Sequence, residues 1–119
     1  MSKCRYVPRR GDVIRLDFSP QAGHEQAGRR PAIVLSPVEY NRTVGLAVVC
    51  PITNAQKGYP WEVPIPDNPH VSGVVLADQV KSIAWRQRRA EFMCTPDDSL
   101  LDEVVERAIA LLSPGDDSK

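Results

Sequence analysis

The sequence predicts a small, mainly β domain of the α+β class, in which an antiparallel sheet or barrel is closed by one C-terminal helix. Its 119 residues fit the usual size of one domain. Eleven prolines and seven glycines divide the chain into short elements joined by turns. A clear helical period appears near the C-terminus, and the apolar segments before it are short. Because no repeat or linker is visible, residues 1–119 are predicted to form a single domain.

Three segments in the first half are predicted to be strands. Residues 12–18, DVIRLDF, alternate with the period of two that is typical of a half-buried strand. Residues 31–36, PAIVLS, are uniformly apolar and, with residues 45–53, GLAVVCPIT, indicate central strands. We expect these two strands to pair antiparallel across a turn near residues 40–43.

The second half contains shorter extended segments. Residues 61–65, WEVPI, include Pro64, which cannot donate a ladder hydrogen bond and therefore indicates an edge strand or a bulge. The extended segment GVVLADQVKSI follows at residues 73–83, and a last short strand, AEFMC, is predicted at residues 90–94.

The C-terminal helix is predicted at about residues 96–113. Thr95 can cap its N-terminus, Pro96 suits the first helical position, and the two aspartates that follow favour the positive end of the helix dipole. A Ser-Pro-Gly sequence ends the helix and leaves a short polar tail at 114–119. We expect an apolar stripe to pack on the sheet. This stripe consists of Leu100, Leu101, Val104, Val105, Ala108, Ile109 and Leu112.

The formal net charge of zero hides an uneven distribution. Residues 1–95 carry 13 Lys and Arg against 8 Asp and Glu, a balance of +5, whereas residues 96–119 carry 2 against 7, a balance of −5. A neutral chain alone argues against nucleic-acid binding, but a basic body does not. The distribution therefore keeps RNA or DNA among the candidate ligands.

Cysteine usage and hydropathy indicate the compartment. Cys4, Cys50 and Cys94 lie far apart and form no CxxC or Cys/His pair, so we expect reduced thiols. No apolar run approaches the ~18 residues of a membrane span, and the N-terminus lacks the apolar region of a signal peptide. These features predict a cytoplasmic protein without a membrane segment. Since no Asp, Glu and His cluster has metal-ligand spacing, no metal or other cofactor is expected.

Four stretches carry a family resemblance. They are GDVIRLDFSP, GHEQAGRRPAIVLSP, PITNAQKGYPWEV and GVVLADQVKSIAWRQR, which cover most of residues 11–88. The chain resembles the MazF/PemK-type toxins of bacterial type II toxin–antitoxin pairs. The resemblance implies an SH3-like barrel of the MazF/CcdB type, a homodimer, and metal-independent cleavage of single-stranded RNA at a short sequence. It also implies inhibition by a cognate antitoxin with an acidic, largely disordered C-terminal segment.

The resemblance also implies site residues. The catalytic Arg of the family's RPA motif corresponds to Arg30, and the Thr that ends its third strand corresponds to Thr53. Glu25 matches an EQ pair in the active-site loop. His24 and Arg29 stand where well-known members have Ser and His, which puts in doubt any mechanism that needs a His at the second position.

Chemistry supports these roles, because attack of an RNA 2′-hydroxyl on its own phosphate builds negative charge on the phosphoryl oxygens. Arg30, next to a proline at the start of a strand, offers a preorganised donor fork, and Thr53 can add a hydrogen bond. We expect Arg29 to be a more mobile accessory cation. A guanidinium is a poor base below pH ~12. Glu25 is therefore the preferred proton acceptor, with His24 second.

Weaker signals indicate RNA contacts. Lys57, Gln79 and Arg86 lie in or beside matched motifs and are candidate RNA-binding residues, together with Arg29 and His24. The run WRQRR at residues 85–89 can hold phosphates, but such runs are usually solvated turns.

Each assignment has a simpler alternative. Arg29 and Arg30 can be solvated loop charges, and the hydroxyl of Thr53 can merely satisfy a turn. Two other functions also stay open. The chain can be a non-catalytic toxin that poisons a topoisomerase, as the related CcdB toxins do, or an inactive homologue that only binds an antitoxin.

Overall fold

The computed structural model describes residues 6–18 and 28–113, in which seven strands and two helices are found. The strands are β1 (Val13–Asp17), β2 (Arg29–Val34), β3 (Ala47–Thr53), β4 (Glu62–Pro64), β5 (Val74–Leu76), β6 (Lys81–Ile83) and β7 (Glu91–Cys94). The helices are α1 (Val38–Val44) and α2 (Asp98–Leu112). All strand pairs are antiparallel and form a small, open, barrel-like sheet, which confirms the predicted fold class.

The sheet has the order β4-β5-β3-β2-β1-β7, and β6 pairs with β3 beside β5. The β2–β3 pairing confirms the predicted central strands. Pro64 lies in β4 at the end of the order, which confirms the edge position expected from its missing donor. The segment at 73–83 is two strands rather than one, because a turn closed by the N–H of Gln79 and the carbonyl of Leu76 (3.0 Å) separates β5 from β6.

Both faces of the sheet are covered by apolar residues. One face carries Val13 and Ile33 and packs against Leu100 and Val104 of α2. The other face holds a second cluster, which consists of Ile14, Leu16, Ala32, Val34, Ala47, Val49, Ile83 and Trp85. In β1 the predicted alternation holds for buried Ile14 and Leu16 and exposed Arg15, whereas Val13 is buried on the first face, so the start of the strand is buried on both faces.

The turn predicted at residues 40–43 is a short helix, α1. It begins after Pro37, has an acidic residue, Glu39, in its first turn, and ends at Gly45. Gly45 takes the left-handed backbone (φ 81°) that glycine adopts without steric cost, and its N–H closes the last turn on Asn41.

Asn41 anchors α1 to the rest of the fold. Its side chain is fully buried, accepts from the hydroxyl of Ser36 (2.6 Å), and donates to the carbonyls of Pro8 and Ser36. Its own carbonyl accepts from the indole N–H of Trp85 (3.0 Å). A single asparagine therefore ties α1 to the N-terminal segment and to Trp85, two residues beyond the end of β6.

The helix α2 begins two residues later than predicted. The residue at its N-cap is Asp97, and the hydroxyl of Thr95 instead donates to the carboxylate of buried Asp12 (3.1 Å). Only Leu100, Val104 and Ala108 are buried, whereas Leu112 is 75% exposed. The prediction that the whole stripe packs in the core therefore holds only for part of it. Among the described helices, none is long and apolar enough to cross a membrane.

Two of the three cysteines lie in the described part of the chain. Cys50 and Cys94 are buried and form no disulfide, as predicted. Burial, with a smaller effect from the charge of Asp78, raises the pKa of the Cys50 thiol to about 12. This thiol is therefore a neutral core group at physiological pH.

Candidate functional site

Arg30 and Thr53 lie on neighbouring strands and on the same face of the sheet. Along β1 and β2, Leu16 pairs with Arg30 and Ile14 with Ala32, so Arg30 shares the face of the second apolar cluster. Thr53 follows Val49 by four residues in β3, an even spacing that puts both side chains on one face. Val49 belongs to the same cluster. Arg30 is exposed and Thr53 half-buried, so both side chains can reach a ligand at this end of the sheet.

The β2–β3 ladder ends just before these two residues. Its pairs run from Val34 opposite Val49 to Ala32 opposite Pro51, and the same register continued by two residues sets Arg30 opposite Thr53. Pro31 and Pro51 each lack a backbone donor at this end. The two strand ends are therefore neighbours that the ladder does not hold together.

The hydroxyl of Thr53 already has one partner. Its Oγ1 accepts a hydrogen bond from the N–H of Ala55 (3.1 Å), which is the turn-satisfying role considered from the sequence. A hydroxyl that accepts here keeps its own proton for donation. The contact fixes the position of Thr53 and leaves a donor that can serve a phosphate oxygen.

Arg29 is held by protein groups on the opposite face from Arg30. Its guanidinium donates to the carboxylates of Asp17 (3.1 Å) and Glu91 (3.2 Å) and to the carbonyls of Arg89 (2.6 Å) and Arg15 (3.3 Å). The side chain is 25% exposed. Arg29, expected to be the mobile cation of the pair, is therefore held by four acceptors within the described part of the chain. To contact RNA phosphates, as the sequence predicts, it would have to leave these partners.

Lys57 lies in an exposed loop that a carboxylate organises. The two oxygens of Glu62 accept from the backbone N–H groups of Lys57 and Gly58, both at 2.8 Å. Charge-assisted bonds of this kind are stronger than neutral ones, so they fix the backbone of the loop, in which Lys57 is exposed.

Gln79 and Arg86 are exposed, as expected of RNA-binding residues. Gln79 lies in the β5–β6 turn, and the guanidinium of Arg86 stacks over the buried ring of Trp85, 4.5 Å from its centroid. Trp85 is part of the second cluster and is not a free stacking platform.

A further cation, Lys81, was not singled out from the sequence. It pairs with Val49 in the β3–β6 ladder and therefore lies on the face that carries Arg30. Its ammonium is 5.3 Å from the centroid of the Phe18 ring. Because residues two apart in a strand share a face, the spacing of Lys81 from Ile83 in β6 is the sequence signal that places Lys81 on this face.

Two predicted site residues, His24 and Glu25, lie outside the described residues. Within residues 6–18 and 28–113, no group of three or more His, Cys, Asp or Glu side chains is arranged to hold a metal ion. The described site thus consists of an exposed arginine and a hydroxyl donor at neighbouring strand ends, with Lys81 further along the same face, an arrangement suited to an anionic group such as a phosphodiester. Within the described part of the chain, the structure gives no contact that brings Lys57, Gln79 or Arg86 to these two residues.

Comparison with known proteins gives a consistent result. Residues 9–112 match the family model of the PemK-like, MazF-like toxin of type II toxin–antitoxin system. Over 86 residues the chain is 56% identical to the endoribonuclease toxin MazF of Escherichia coli (strain K12), which covers 72% of this chain and 77% of that protein.

Solved structures agree in fold and length. The crystal structure of MazF (Form-I) from Deinococcus radiodurans superimposes with a TM-score of 0.83 at 52% identity, covering 91% of this chain and 98% of that one. A MazE–MazF structure (Form-II) from the same organism gives a TM-score of 0.82 at 44% identity, covering 93% of this chain and 100% of that chain.

Proposed function

Because this chain belongs to the PemK-like, MazF-like toxins of type II toxin–antitoxin systems, we propose that it is an endoribonuclease toxin that cleaves single-stranded mRNA at a short sequence. The observation that carries the proposal is the position of Arg30 and Thr53 on one face, at adjoining strand ends. Two relatives that are identical to this chain at over half of the aligned residues are named endoribonucleases. A topoisomerase poison of the CcdB type is not favoured.

The proposed reaction uses the RNA as its own nucleophile. The 2′-hydroxyl attacks the adjacent phosphorus, the bond to the 5′-oxygen breaks, and the products are a 2′,3′-cyclic phosphate and a 5′-hydroxyl. The guanidinium of Arg30 stabilises the charge that develops on the non-bridging oxygens, and the hydroxyl of Thr53 donates to the same group. Glu25, or else His24, takes the proton of the 2′-hydroxyl, and the leaving 5′-oxygen takes up a proton from water.

Further residues are proposed to bind the RNA strand. Lys57, Gln79 and Arg86 are exposed in loops and turns and can follow the phosphate backbone. Lys81 adds a positive charge on the face of Arg30. The roles of His24 and Arg29 as RNA-binding residues come from the sequence alone.

The proposed protein partner is a cognate antitoxin with an acidic C-terminal segment. The MazF of Deinococcus radiodurans has been crystallised with MazE, and the first 95 residues of this chain carry a charge of +5. An acidic peptide attracted to the same cations should compete with RNA. Titration of RNA-bound protein with the antitoxin segment should release the RNA, and simultaneous binding without mutual weakening would contradict a shared site. We also propose a homodimer, which light scattering tests directly.

One experiment separates the candidate functions. Purified protein is incubated with a mixed-sequence RNA, and the 5′ ends are mapped. Discrete ends that depend on the protein support the endoribonuclease, whereas their absence supports a non-catalytic toxin or an inactive antitoxin-binding homologue. Arg30→Ala should lower the rate by ~10² to 10³ without unfolding the protein. Arg42→Ala, a matched change of an exposed arginine on α1, should leave the rate unchanged.

A further inference from the structure

We propose that Asp17, Arg29, Arg89 and Glu91, together termed the arginine clamp, form a positioning device that holds the end of β2 so that Arg30 is correctly aimed at the scissile phosphate. The inference rests on the proposed RNA cleavage. It assigns Arg29 a role in turnover rather than in RNA affinity.

The acceptors of Arg29 come from separate parts of the chain. Asp17 lies in β1, Glu91 in β7, and the carbonyl of Arg89 precedes β7. In the sheet order, β1 stands between β2 and β7, so the guanidinium of Arg29 crosses β1 to reach Glu91. A planar fork with several donors can bridge three strands in this way, which the point charge of a lysine cannot do.

Asp17 and Arg89 complete the arginine clamp. The second carboxylate oxygen of Asp17 accepts from the Nε of Arg89 (3.2 Å), so one carboxylate is shared by two guanidinium groups. Arg89 is the one non-glycine residue with positive φ (56°) among the described residues. A left-handed arginine is disfavoured sterically and persists when its surroundings fix it. Both its side chain and its carbonyl take part in the clamp.

The neighbouring Arg88 ties the same turn to the end of β1. Its guanidinium donates to the carbonyls of Asp17 (3.0 Å) and Phe18 (2.7 Å), and its own carbonyl accepts from the N–H of Asp17 (3.0 Å). The basic run that the sequence left as either a solvated turn or an RNA contact therefore commits two arginines to the end of β1.

The position of Arg30 explains why such a clamp is needed. Asp17 and Arg29 are the last pair of the β1–β2 ladder, directly after Leu16 and Arg30. On the other side of β2, pairing with β3 ends at Ala32. Within the described chain, the strand end that carries Arg30 is therefore held by β1 and by the clamp. Since adjacent residues of a strand point to opposite faces, the clamp restrains Arg30 without covering it.

The test compares variants that keep or remove charge. Arg29→Lys keeps the positive charge but cannot reach four acceptors, and Asp17→Asn removes an anion that would only repel RNA. If Arg29 served RNA affinity, the first variant would be near normal and the second would bind RNA more tightly. The clamp predicts that both lower turnover. Arg42→Lys on α1 is the matched control.

The measurement is the single-turnover rate on an RNA whose cut site has been mapped with the wild-type protein, with binding measured separately on a 2′-deoxy version of the same RNA. Circular dichroism and thermal unfolding establish that each variant is folded. We expect losses of about tenfold to a hundredfold in rate for both variants, with little change in RNA affinity. The double variant should lose no more than the worse single one, because both break the same device.

Different outcomes overturn different claims. If the wild-type protein cleaves and folded Arg29→Lys and Asp17→Asn proteins cleave at its rate, the clamp is wrong and the proposed function stands. A change confined to RNA affinity also overturns the clamp and returns Arg29 to RNA binding. If the wild-type protein does not cleave RNA, both the proposed function and the clamp are wrong.

Discussion

Gly73 packs directly against the backbone of Thr53. A Cβ atom at Gly73 would lie 2.3 Å from the carbonyl oxygen of Thr53 and 2.9 Å from the Oδ1 of Asn54, closer than such atoms approach in proteins. The backbone of Gly73 also has a positive φ of 107°. Glycine at this position therefore allows β5 to come close enough to β3 to support Thr53.

Gly73→Ala should consequently damage both stability and cleavage. The added methyl group must displace the backbone of Thr53. The alanine must also keep the positive φ of this position, and that strain alone costs about 1 to 2 kcal/mol. Gly45→Ala is the control, because Gly45 has a similar φ of 81° but open space around its Cβ. Urea unfolding should show a loss in both variants, larger at Gly73. Only Gly73→Ala should slow the single-turnover rate, and equal rates in the two variants would contradict a supporting role for Gly73.

Substitutions at Thr53 distinguish the contribution of its hydroxyl group from that of its side-chain shape. Thr53→Val keeps the shape and removes the donor, so the cleavage rate should fall by about tenfold to a hundredfold. Thr53→Ser keeps the hydroxyl that accepts from Ala55 and should retain most of the rate. If the valine variant cleaves as fast as the serine variant in single-turnover assays, the hydroxyl serves only the turn.

The sequence predicted those parts of the fold that local patterns determine. Residues 31–36 and 45–53 are mostly apolar segments and correspond to β2 and β3, and Pro64 marks the edge strand through its missing donor. The helix α1 was missed because its seven residues include Val, Tyr, Asn and Thr, which are weak helix formers, and such a short helix is not stable alone. Buried contacts of Asn41 hold it in place, and these are tertiary.

The candidate site residues that lie in family motifs could be predicted from the sequence. Contacts between residues far apart in the chain could not. Arg30 and Thr53 follow from matched motifs, and the sheet brings their strands together. The setting of Arg29 could not be predicted, because its partners Arg89 and Glu91 are 60 and 62 residues away along the chain. The helical period of α2 likewise shows which side of the helix is apolar but not how much of that side the sheet covers. The exposure of Leu112 could therefore not be predicted from the sequence.

Glu62→Gln should weaken RNA binding by Lys57. The carboxylate that holds the N–H groups of Lys57 and Gly58 becomes a neutral amide with one acceptor oxygen, so the two N–H groups no longer have one charged oxygen each, and the loop loosens. We expect RNA affinity to fall about fivefold, on the order of 1 kcal/mol, with the single-turnover rate retained. Glu39→Gln on α1 is the control, since it removes the same charge without touching the loop. Equal affinities of the two variants would contradict a role for Glu62.

The carboxylate of Asp17 should contribute to stability in a pH-dependent manner. Its hydrogen bonds with Arg89 and, to a smaller extent, Arg29 lower its pKa below the ordinary value of 3.8. A lowered folded-state pKa means that the stabilisation is present above the unfolded-state pKa and is lost as the pH falls through the folded-state pKa. In urea unfolding, wild type should be more stable than Asp17→Asn at pH 6, and the difference should shrink below pH ~4. A difference that does not change with pH would mean that the ionised carboxylate is not responsible.

The chemistry itself is tested most directly by the substrate. In the proposed reaction the nucleophile is the 2′-hydroxyl beside the scissile phosphate, and the protein supplies charge stabilisation from Arg30 and Thr53 together with proton transfer. Replacement of the one nucleotide before the cut by its 2′-deoxy form should therefore abolish cleavage at that site. The same replacement one nucleotide further upstream is the control and should be tolerated far better.

The products and the metal dependence of the wild-type reaction complete this test. Cleavage should leave a 2′,3′-cyclic phosphate and a 5′-hydroxyl, which are distinguished by mass spectrometry and by phosphorylation of the new 5′ end without prior phosphatase treatment. The rate should be the same in excess EDTA, because the substrate provides the nucleophile and Arg30 provides the charge that a metal ion supplies in other nucleases. If the 2′-deoxy substrate is still cut at the same bond, the 2′-hydroxyl is not the attacking group. If EDTA removes the activity and magnesium restores it, a metal ion takes part in the reaction, and charge stabilisation by Arg30 without a metal is wrong.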